Sequence, residues 1–83
     1  GDQSPRIKKE TDYLLQETLK SRIRSLRLQM KQHQDNLNWS EEQAAQYGPS
    51  VSLEITNKII WEREKINEIR TELDYIEEEI SKT

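Results

Sequence analysis

His33 is the only histidine in a chain that has 16 carboxylates and no cysteine. Nucleophilic catalysis needs a Ser, Cys or Thr beside a positioned base, and metal sites need convergent His, Cys or carboxylate ligands. One histidine, no cysteine and glycines only at 1 and 48 supply neither, nor a glycine-rich phosphate loop. The run Glu77-Glu78-Glu79 is consecutive, so on a helix its carboxylates spread around the axis instead of converging. It reads as a solvated face with Lys82 nearby. An enzyme is not expected, and no catalytic residue, metal ligand, cofactor or small-molecule ligand is assigned.

Two constellations remain. The first is His33 with Glu62, discussed below. The second is the basic stretch Lys20, Arg22, Arg24, Arg27 and Lys31. A basic helix can dock in a nucleic-acid groove, which makes a nucleic-acid-binding coiled coil the alternative reading. Against it, residues 1–31 hold eight Lys/Arg and four Asp/Glu, whereas residues 32–83 hold five and twelve. Opposite charge in the two halves suggests that the halves face each other, with the basic run lying along Glu64, Glu68, Glu72, Asp74 and Glu77. Nucleic acid is therefore not an expected partner. The longest apolar run, Ile59-Ile60-Trp61, is far too short to span a membrane. The lack of cysteine leans towards the cytoplasm.

The elements that position these residues follow from one break. Gly48-Pro49 is the only Gly-Pro pair. Glycine caps a helix C-terminus and proline cannot continue it. Ser50 or Ser52 is available as the N-cap of a second helix. The spacing predicts helix 1 over about 9–47, a turn at 48–50 and helix 2 over about 51–82, with residues 1–8 as a disordered tail.

The apolar spacing predicts an all-α, antiparallel two-helix coiled-coil hairpin. One seam runs through Leu19, Ile23, Leu26, Met30, His33 and Leu37. The other runs through Ile59, Glu62, Ile66, Ile69, Leu73 and Ile76. Steps of three and four mark a supercoiled seam. Folding at Gly48 sets Leu19 against Ile76, Ile23 against Leu73, Met30 against Ile66, and Leu37 against Ile59. It also brings His33 to Glu62 in a hydrogen bond, read as a polar pair that fixes register or as a pH-sensitive switch. Ser40 with Gln43 fits a capping box, so a break of helix 1 near Trp39 is the competing arrangement.

Trp39, Ile60, Trp61 and Leu53 fall off the seam and are predicted to form an outer interface. The expected partner is a second copy, giving a four-helix bundle, or another helical domain.

The stretch from Asn36 to Ile80 carries Leu37, Glu42-Gln43-Ala44-Ala45, Tyr47-Gly48, Val51, Leu53, Asn57 and Ile59, followed by a Glu/Ile/Leu coil. Over a little more than half the chain it resembles a short helical-hairpin module of multidomain bacterial signalling and conflict proteins. There the module accompanies STAND-class NTPase, caspase-like or TIR-like domains. Ser52 stands where such modules often carry proline. The resemblance implies an adaptor or oligomerisation role inside a larger bacterial protein. Asn57 is expected to hydrogen-bond locally in the first turns of helix 2.

Overall fold

A computed structural model of the chain describes residues 5–82, with side chains from residue 9. The order is α1 (Pro5–Tyr47), a 3-10 turn (Gly48–Ser50) and α2 (Leu53–Ser81). The molecule is an all-α helical hairpin, a rod 69 Å long and 16 Å across. A 43-residue α-helix spans about 65 Å, so α1 sets the length.

Among the described residues α1 runs from Pro5, four residues before the start that the periodicity suggests, and proline is tolerated in a first helical turn. The expected tail falls outside the described residues over 1–4, and 5–8 belong to the helix. α1 is unbroken through Trp39 and Ser40, so the capping-box break does not form there. Ser40 faces the seam and is fully buried.

The chain leaves α1 through Gly48, whose φ of 54° lies in the left-handed region. Pro49 then holds the tight turn, closed by the Val51 amide donating to the Gly48 carbonyl at 3.1 Å. The second helix begins at Leu53, not Val51, and Ser52 precedes it. Ser52 is the N-cap, and its Oγ accepts from the Ile55 amide at 3.2 Å. Glu54 in the first turn adds a favourable charge at the positive end of the helix dipole. Asn57, given a local hydrogen-bonding role above, is exposed and its side chain makes no such bond; Ser52 supplies the cap instead.

The core is one line of side chains. Ile23, Leu26, Ile69, Leu73 and Ile76 form a buried cluster, with Leu19, Met30 and Ile80 packed against it. Leu37 and Ile66 continue the buried line towards the turn. Leu26, 1% exposed, is the most enclosed of these apolar residues. Ion pairs fix the alignment from both sides. Arg22 reaches Glu72 at 2.9 Å, Arg27 reaches Glu77 at 3.3 Å, and Arg63 reaches Glu41 at 3.5 Å. Only part of the basic stretch therefore crosses to α2. Lys20 and Lys31 pair within α1, with Glu17 and Asp35.

Two substitutions test this account of the turn. Gly48→Ala meets no atom within 4 Å, so its cost is the backbone conformation alone, about 1–2 kcal/mol. Ser52→Ala removes the cap and costs about 1 kcal/mol. Urea unfolding followed by circular dichroism reads both. A Gly48→Ala protein as stable as the parent would show that the turn does not require a left-handed residue.

Candidate interaction surface

Four turns before the bend, the apolar seam gives way to a polar layer. Glu62 is 2% exposed, and its Oε2 lies 2.6 Å from His33 Nδ1. With the carboxylate ionised, Nδ1–H donates. The outer side of the imidazole is covered by Trp61, whose ring meets it edge-on at 5.5 Å. The pairing expected from the spacing is therefore present. Its geometry suits register fixing. A slip of α2 by one heptad would place the Glu62 carboxylate against Leu26 or Ser40, and a buried charge without a partner costs several kcal/mol. Ser40 has an Oγ with no hydrogen-bond partner, so it gains nothing from its polarity and serves as a small residue where the helices close on each other.

Helical rows sort the exposed residues into two broad faces. Lys58 Nζ stands 5.4 Å over the Trp39 ring, and Lys65, seven residues further along α2, stands 5.5 Å over Trp61. Both tryptophans therefore belong to the face that carries the Lys58–Lys65 row. Glu72 continues that row and bonds Arg22. Arg63 and Glu77, two heptads apart, bond to α1 across the other groove, so they mark the opposite face.

The predicted outer residues do not all come together. Trp39 (54% exposed) and Trp61 (48%) share one face. Ile60, a 100° rotation from Trp61, lies on the side of Arg63, three residues on, and Leu53 lies one heptad before Ile60 in the same row. Both are exposed. The earlier grouping treated residues adjacent in sequence as adjacent in space, which a helix does not allow. It also passed over Tyr75, which is 64% exposed and falls two heptads after Trp61 on the same row. The seven-residue spacing was the signal that would have found it.

Arg70 lines a shallow groove with Gln34, Leu37 and Arg63, and Arg27 is engaged by Glu77. Within the basic stretch, only Arg24 has no ion-pair partner among the described residues.

No group of three or more His, Cys, Asp or Glu residues is placed to hold a metal ion among the described residues. No helix there is long and apolar enough to cross a membrane. No protein-family model, curated protein or solved structure matches the chain.

Truncating one partner of the polar layer strands the other. His33→Leu should destabilise the hairpin by about 3 kcal/mol. The double variant His33→Leu/Glu62→Leu should recover that loss, because a well-packed apolar pair replaces a buried polar one at little or no cost. Ser40→Ala should be neutral or stabilising by up to about 1 kcal/mol, since it removes a buried hydroxyl without a partner. Denaturation midpoints of the four proteins, parent included, check all three. A double variant as unstable as His33→Leu would mean that shape, not charge, is what the layer contributes.

Proposed function

We propose that the chain is a non-catalytic protein–protein interaction module that works by oligomerisation, as an adaptor segment of a larger bacterial protein. The observation that supports the interaction role is the exposed aromatic pair Trp39 and Trp61 on one face of a rod too thin to enclose them. Tryptophan is costly to leave in water and enriched at the centre of interfaces. The ammonium of a lysine stands over each ring, and each tryptophan is still about half exposed. The adaptor setting and the bacterial source rest on the sequence resemblance alone.

The partner favoured is a second copy. The nucleic-acid reading gains no support from the arrangement. Arg22 and Arg27 are turned to carboxylates of α2, and Lys20 and Lys31 to carboxylates of α1, so most of the basic stretch is neutralised where phosphates would have to bind.

Light scattering behind size exclusion, over a hundredfold dilution series, tests this reading. A dimer mass that persists on dilution is the expected result. Trp61→Ala should weaken association by about tenfold or more, in keeping with an interface anchor, while its helical circular dichroism stays near that of the parent. A monomer mass throughout the series would overturn self-association.

A further inference from the structure

Four residues of α2 stand one heptad apart along the aromatic face: Lys58, Lys65, Glu72 and Glu79. Their order is two cations followed by two anions. A row of this kind is complementary to itself when read backwards. If a second α2 is laid beside the first in the opposite direction, Lys58 meets the second copy's Glu79 and Lys65 meets its Glu72, and the two-fold axis repeats both contacts. The parallel row of Trp61, Glu68 and Tyr75 follows the same symmetry. Trp61 then meets Tyr75 twice, about 21 Å apart along the helix, fourteen residues at 1.5 Å each.

We propose that the hairpin forms a two-fold dimer in which α2 packs antiparallel on α2 of a second copy through this row. The proposal rests on the association reading above and names its surface. Three observations converge on it. The aromatics it would cover, Trp61 and Tyr75, are 48% and 64% exposed. The charges flanking them, Lys58, Lys65, Glu72 and Glu79, stand in an order that suits an isologous contact. The existing partners of those charges are exposed and weakly held. Glu72 is shared with Arg22, and among the described residues the ion-pair partner of Glu79 is Lys82, at 3.4 Å on its own helix. Such pairs contribute little and leave the carboxylates free to accept a second cation. The cost sits at the axis, where Glu68 faces its own copy. It is moderated because Lys65 holds Glu68 at 3.2 Å within each hairpin.

The alternative surface is poorer. The opposite face carries Arg63 and Arg70 in succession beside Ile60, and an antiparallel self-contact there brings arginine to arginine.

Charge exchange tests the proposal with the full chain. In K58E/K65E the row becomes wholly acidic, and in E72K/E79K wholly basic. Each variant alone should associate about tenfold or more weakly than the parent, through like-charge contacts. An equimolar mixture of the two should form a one-to-one heterodimer at the parent's concentration. Circular dichroism establishes that each variant is still a helical hairpin. Since the chain has no cysteine, E68C supplies an independent readout. It should oxidise to a covalent dimer, whereas N67C, rotated off the row, should not.

Outcomes separate cleanly. A parent dimer with both charge variants dimerising as it does would overturn this surface and leave the association reading standing. So would failure of the mixed variants to pair. A monomeric parent would overturn both.

Discussion

Two helices share a single line of contact, and everything that orders this molecule acts along it. No third layer encloses the seam, so no seam residue can be buried on every side by its partner helix alone. The hairpin answers by ringing the line with long side chains. Arg22 and Arg27 from α1 and Arg63 from α2 bridge the two grooves. Exposed ion pairs of this sort add little stability. What resists a slip of one heptad is the Glu62 carboxylate, which such a slip would strand.

The same thinness governs what the molecule can do. A rod 16 Å across has no interior beyond its seam, and the one ionisable pair inside that seam is satisfied by itself and capped by Trp61. What such a rod has in abundance is surface arranged in straight rows. The two broad faces differ in kind. One carries both tryptophans, Tyr75 and a row of lysine followed by glutamate. The other carries arginines and scattered aliphatics. That asymmetry is the main functional information in the structure.

Most of the architecture was legible in the sequence because it depends on period and punctuation. Steps of three and four placed Ile23, Leu26, Ile66, Ile69, Leu73 and Ile76 in the seam, and Gly48-Pro49 fixed the bend. The fold-back arithmetic then brought His33 to Glu62. Finer features depended on which of several equivalent local options wins. Ser52 competed with Ser50 as a cap and prevailed because the 3-10 turn uses Ser50. The capping box at Ser40 lost to the continuing seam, since burying Leu37 and Ser40 on one face outweighs a local cap. The outer surface was the least legible part. Apolar residues next to each other in the chain suggested a single patch, yet Ile60 and Trp61 diverge by 100° around the helix, and the residue that does line up with Trp61 is Tyr75, far along the chain.

The seam and the outer row are linked by their period. On a straight helix of 3.6 residues per turn, positions seven apart drift by about 20° per heptad. Across the three heptads from Lys58 to Glu79 that drift is about 60°, enough to carry the row off the face. A supercoil with a 3.5-residue repeat removes the drift. The burial of Glu62, Ile66, Ile69, Leu73 and Ile76 in unbroken alternation shows that α2 holds its seam against α1 over the central two heptads of that span. The winding that keeps the inner line buried therefore also keeps Lys58, Lys65, Glu72 and Glu79 in line on the outside. A charge order that is complementary to itself has meaning only on such a straightened row. In this hairpin the packing of the core is what keeps the outer row straight.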